Sequence, residues 1–244
     1  MKKIIIVFAA IFLSTVLFAL FVYYPSLNNG EEAVIGIDIT DSLRSRPLAN
    51  EIISKLGIER NKWASATIRI NTISGFDYNT VHTIDLPSRL MILSNPTYRD
   101  SVIAKFERNF ATELDEISNT DIGRPQSNIY SPLVRELNRL AKSKAKKRMY
   151  ILYGDCRHNM QDFSIYRVKD LELLIKHPEI IRDFFKKMEK PNDLTGIDVY
   201  FIFEPKSSKE NTAFFLMANL FKSIFTEAGA KVHIAANLAG ADDL

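Results

Sequence analysis

Three short apolar runs, at 33–39, 149–153 and 197–203, constrain this chain more than any other feature. Each is strand-length, rich in β-branched and aromatic residues, and lacks the alternation of a half-exposed strand. Such runs read as strands covered on both faces. Longer stretches with helical spacing lie between them. The segment 43–56 puts Leu43, Leu48, Ile52, Ile53 and Leu56 on one side and stops at Gly57. The segment 95–117 aligns Tyr98, Val102, Phe106, Phe110, Leu114 and Ile117, and 129–143 aligns Leu133, Leu137 and Leu140. Further helices are predicted over 165–189, broken near His177-Pro178, and over 212–228, closed by Gly229.

Residues 64–73 alternate, with Ala66, Ile68 and Ile70 opposing Thr67, Arg69 and Asn71. A short turn at 75–79 leads into a third strand at 81–86, which predicts a hairpin and an antiparallel strand at the sheet edge. A last strand spans 231–236. The order β-α-β-β-α-α-β-α-β-α-β predicts an α/β fold: a Rossmann-like, doubly wound, mostly parallel six-stranded sheet with helices on both faces. With 244 residues and 46% apolar content, the chain can bury a full core of this kind. Its net charge of +3 gives no general affinity for nucleic acid. The lone cysteine, Cys156, excludes an internal disulfide.

The amino terminus has its own pattern. Lys2 and Lys3 precede an apolar stretch over 4–24, interrupted only by Ser14 and Thr15. That length suffices for a membrane-spanning helix. No Ala-x-Ala-like cleavage site follows, and Tyr23 and Tyr24 stand where an interfacial aromatic belt would lie. The expectation is an uncleaved signal anchor over 1–24, a polar linker over 25–32, and an α/β domain over 33–244. By the positive-inside rule, the domain would lie on the periplasmic side of a bacterial inner membrane.

The chemistry-bearing residues gather at predicted strand ends. The first strand ends in Asp38-x-Thr40-x-Ser42 and a helix pattern follows at once. This places one carboxylate and two hydroxyls at the carboxyl end of a strand, where open α/β sheets bind ligands. Hard oxygen donors there suit Mg²⁺ or Mn²⁺; equally, Asp38 and Ser42 could serve as helix caps. Ser127 stands at the start of the helix after a loop at 119–128, and Asp155 follows the 149–153 strand. If the first and fourth strands are neighbours, the three loops converge where strand order reverses. Two carboxylates and three hydroxyls then supply an oxygen shell, and an acidic group from another molecule can complete it.

Taken together, Asp38-x-Thr40-x-Ser42, the stretch from Ser127 to Leu133, and Tyr153-Gly154-Asp155 resemble the von Willebrand factor A domain and its metal-ion-dependent adhesion site. The resemblance spans about 33–238. It implies Asp38, Thr40 and Ser42 as first-loop ligands, Ser127 in the place usually held by threonine, and Asp155 as the third-loop aspartate. It also implies Mg²⁺-dependent binding of a protein partner through an acidic residue. Three positions depart from the family pattern. Asp41 stands where glycine is common, 123–127 lacks the usual glycine pair, and Cys156 follows Asp155 where glycine is usual.

Other groups carry weaker signals. Cys156 and His158 lack a third orienting residue for nucleophilic catalysis. His82, His158, His177 and His233 lack zinc-ligand spacing. The basic run 142–148 reads as a solvated helix end, and the Phe-rich helix 212–228 as core. The expected function is a membrane-anchored, cation-dependent protein-binding module and not an enzyme. The alternatives are a metal-independent assembly domain that keeps the fold, or a metal-dependent phosphoesterase.

Overall fold

The computed structural model describes residues 11–18, 30–39, 46–74, 80–91, 94–119 and 126–242. Six strands form one sheet: β1 (Glu31–Asp38), β2 (Ala66–Ile73), β3 (Val81–Leu86), β4 (Lys147–Tyr153), β5 (Ile197–Ile202) and β6 (Lys231–Ala235), in the order β3-β2-β1-β4-β5-β6. β3 runs antiparallel to β2 at one edge, and every other pairing is parallel. The helices are α1 (Ala49–Leu56), α2 (Pro96–Ser118), α3 (Tyr130–Ala141), α4 (Val168–Lys176), α5 (Pro178–Met188) and α6 (Ser208–Glu227). The chain winds outward from β1 to β2 and β3, then crosses back to place β4 on the other side of β1. Strand order therefore reverses between β1 and β4.

Alternation along the buried strands divides the core in two. Val34, Tyr150, Leu152, Val199 and Phe201 pack with α3, α5 and α6. Ile35, Ile37, Ile68, Ile70, Ile151 and Ile202 pack with α1 and α2. Local chemistry sets the helix ends. Asn95 caps α2 by accepting from the Thr97 and Tyr98 N–H groups, with Pro96 in the first turn. Gly57, at φ 87°, closes α1 in the left-handed conformation that glycine adopts without a Cβ clash. Pro178 separates α4 from α5 at His177 as expected. On α6, Phe214, Met217, Leu220, Phe221, Ile224 and Phe225 are buried, so this helix is core.

Two buried polar groupings staple elements together. Arg99 is 1% exposed and donates to the carbonyls of Lys62, Ala64 and Pro87, pinning α2 to the segments that flank β2 and β3. Glu136 on α3 accepts from Arg69 of β2 and from Arg139, which also pairs with Glu32. Burial alone would raise the Glu136 carboxyl, but hydrogen bonds and charge from Arg69 and Arg139 hold it below its ordinary value.

Three expectations change. The membrane anchor is corrected: among the described residues no helix is long and apolar enough to cross a membrane. Of the 1–24 stretch only 11–18 is described, as exposed helix. The inner-membrane, periplasmic placement rested on that anchor and is withdrawn with it. Secondly, Glu31 and Glu32 belong to β1 rather than to a linker, because Arg139 neutralises Glu32 where it is buried. Thirdly, only part of the basic run is a solvated helix end. Lys147 and Arg148 enter β4, where they donate to the carbonyls of Lys55 and of Ala141 and Thr195 respectively. The expected linker over 25–29, helix start at 43–45, turn at 75–79 and most of the 119–128 loop lie outside the described residues.

Candidate functional site

Asp38 is the last residue of β1 and Asp155 lies two residues beyond β4, so adjacent parallel strands deliver both carboxylates to the same rim. That rim is the point where strand order reverses, the ordinary ligand position of an open α/β sheet. Ser127 reaches it from the segment preceding α3. Its hydroxyl donates to Asp38 Oδ2 at 3.3 Å from 89 positions further along the chain, and both side chains are buried. Gly154 permits the approach: a Cβ there would lie 2.6 Å from the Asp38 Cβ. Thr40 and Ser42, with Asp41, lie outside the described residues.

The second and third loops are stitched together. Ser127 and Asn159 exchange backbone hydrogen bonds of 3.1 and 2.9 Å, forming an isolated antiparallel bridge. Asn128 N–H donates to the Ser74 carbonyl, tying the same loop to the end of β2. The Ser164 hydroxyl donates to Asn159 Oδ1 at 2.7 Å. His158, wholly buried, accepts the Ile129 N–H at Nδ1 (3.4 Å) just ahead of α3. Burial lowers the imidazole pKa to about 4, so the ring is neutral at physiological pH, with its proton on Nε2. That ring meets Phe185 edge-on, with centroids 5.1 Å apart.

Asp155 is not an open carboxylate. Its Oδ1 accepts the Arg157 backbone N–H at 2.8 Å, and its Oδ2 accepts from Arg157 Nε in an ion pair. Only 13% of the Arg157 side chain and 8% of the Asp155 side chain are exposed, so the pair is shielded from water. The guanidinium lies 5.4 Å from the Tyr166 ring centroid. Cys156 makes this hairpin possible: its φ of 57° folds the chain so that Arg157 returns to the residue two before it. Glycine adopts that conformation freely, whereas a cysteine does so under strain. Its side chain is locked into the core beside α3. Burial, with the Asp155 and Asp38 carboxylates nearby, pushes the Cys156 thiol well above its ordinary value, so it is held as the weakly nucleophilic thiol.

The sequence thus led to Asp38, Ser127 and Asp155, and these do share one rim. It missed Arg157, Asn159 and His158 as organisers of the third loop. The one available signal was an arginine two residues after Asp155, directly beyond an apolar strand. The remaining histidines are elsewhere: His82 pairs with Glu113, His177 with Glu179, and His233 stacks on Tyr200.

The donor set is the test of a cation. Asp38 and Ser127 are hard oxygen donors already in mutual contact, a fit for Mg²⁺ or Mn²⁺. Among the described residues no three His, Cys, Asp or Glu side chains group to hold a metal. The class defined by fold and rim is an α/β domain with a Rossmann-like mixed sheet and an oxygen-rich switch point. No protein-family model matches the chain, and no curated protein matches it.

Proposed function

We propose that this chain is a protein-binding module that captures its partner at the β1/β4 rim through a divalent cation, Mg²⁺ or Mn²⁺. Asp38 and Ser127 would hold the cation, and the partner would contribute an acidic side chain. The observation that carries this reading is the Ser127–Asp38 contact at the switch point, made by residues far apart in sequence. The resemblance of Asp38-x-Thr40-x-Ser42 and of the Ser127 and Asp155 segments to a metal-ion-dependent adhesion site supports it. On that resemblance Thr40, Ser42 and Asp155 join the ligand set. In this reading Asp38 supplies the charge, Ser127 fixes the carboxylate's rotamer, and the stitched second and third loops hold the rim rigid.

Calorimetric titration of MgCl₂ and MnCl₂ into the full chain tests the reading. Binding is expected for the native chain and is lost in Asp38→Ala. A native chain that takes up neither ion refutes the cation.

A second reading is metal-independent assembly through the same face, and the Asp155–Arg157 ion pair favours it, because one of the two carboxylates already has a cation. Partner capture that survives a chelator and the Asp38→Ala change identifies this alternative.

A further inference from the structure

We infer that Arg157 is a tethered cation that competes with the divalent ion for Asp155 and so sets the ion affinity of the rim. The inference rests on the cation-dependent reading above. Three features hold the guanidinium in place. The left-handed turn at Cys156 directs it back along the chain. The Asp155 carboxylate receives both the Arg157 N–H and its side chain. The Tyr166 ring lies against its face.

Each feature has an energetic consequence. A charge-assisted pair shielded from water is stronger than one on an open surface, and cation–π support grows with desolvation. A divalent ion entering beside Asp155 meets the positive guanidinium at close range. It must either share the carboxylate against that repulsion or displace Arg157. An Arg157 in its resting place balances the charge of Asp155 without metal, so the buried carboxylate keeps a cationic partner when the rim is empty. Cation uptake is thereby weakened and tied to the release of an internal charge. The left-handed conformation of Cys156 is part of this device, because in it both the Arg157 N–H and its side chain meet the Asp155 carboxylate.

The experiment is titration of MnCl₂ into the full-length native chain, Arg157→Gln, Arg157→Lys and Asp38→Asn, with melting temperatures in chelator and in Mn²⁺. Arg157→Gln is expected to bind Mn²⁺ about ten-fold more tightly or better, because one close positive charge is gone. Arg157→Lys, which keeps the charge, stays within a few-fold of the native chain. In chelator Arg157→Gln melts below the native chain, and Mn²⁺ raises its melting temperature by more. Should Arg157→Gln fail to fold, Tyr166→Leu removes the ring support at an exposed position and is expected to tighten Mn²⁺ binding measurably. Equal or weaker Mn²⁺ binding by Arg157→Gln, while native binding remains sensitive to Asp38→Asn, overturns the role of Arg157 and leaves the cation-dependent reading standing. No binding by either the native chain or Arg157→Gln overturns that reading itself.

Discussion

His158 makes the stability of this domain depend on pH in a window set by one ring. Its ordinary pKa of 6.5 falls to about 4 in the folded protein, because burial penalises the imidazolium; Asp162 pulls the other way but does not compensate. The unfolded chain takes up a proton near 6.5 and the folded chain does not until about 4, so the unfolded state binds more protons in between. Stability is therefore complete above pH 6.5 and is lost as the pH falls towards 4. At about 1.36 kcal/mol per pH unit the loss approaches roughly 3 kcal/mol, of which about 2 kcal/mol is gone by pH 5. Urea unfolding of the full chain at pH 7, 6, 5 and 4.5 measures it, against His158→Asn, which keeps an acceptor for Ile129 and removes the titration. Carboxylates held low in the fold, Glu136 by Arg69 and Arg139 among them, also weaken it in acid. They do so in both proteins and cancel in the difference. The native chain should converge on the variant as pH falls. Parallel stability profiles for the two proteins between pH 6.5 and 4.5 would refute the assignment of a buried, neutral His158.

Gly154→Ala should drive a Cβ into Asp38, destabilise the fold by about 1–3 kcal/mol in chemical denaturation, and weaken Mn²⁺ binding in calorimetry by parting Asp38 from the third loop. A variant with native Mn²⁺ affinity would show that the close approach of β1 and β4 is not what builds the rim. Arg99→Met should leave three carbonyls, that of Ala64 buried, without their donor and cost about 3 kcal/mol or more, read as a lower urea midpoint with an unchanged slope. A midpoint shift under about 1 kcal/mol would mean that water replaces the guanidinium there.

Local pattern made much of this protein legible. Uninterrupted apolar runs at β1, β4 and β5 read as two-faced buried strands because each strand has helices above and below it. The turn between alternating strands gave β3 its antiparallel direction, and Pro178 gave the break between α4 and α5. Asp38 and Asp155 were recognisable as rim residues because each follows such a strand directly. The same pattern reading misjudged the amino terminus, where hydropathy alone described a spanning helix that the described residues do not contain. It also assigned Glu32 to a linker, since a paired buried carboxylate looks like a solvated one until its arginine is located.

The sequence by itself determined the order and type of the elements, and which side chains stand at strand ends, because periodicity and turn chemistry act over a few residues. Only the tertiary structure decided that β4 lies beside β1, that Ser127 meets Asp38, that Ser127 bonds to Asn159, and that a left-handed Cys156 turns Arg157 onto Asp155. Those outcomes depend on contacts between distant segments and on one backbone angle. A side chain's electrostatic partner is fixed by where the chain returns to in space, and no local spacing records it.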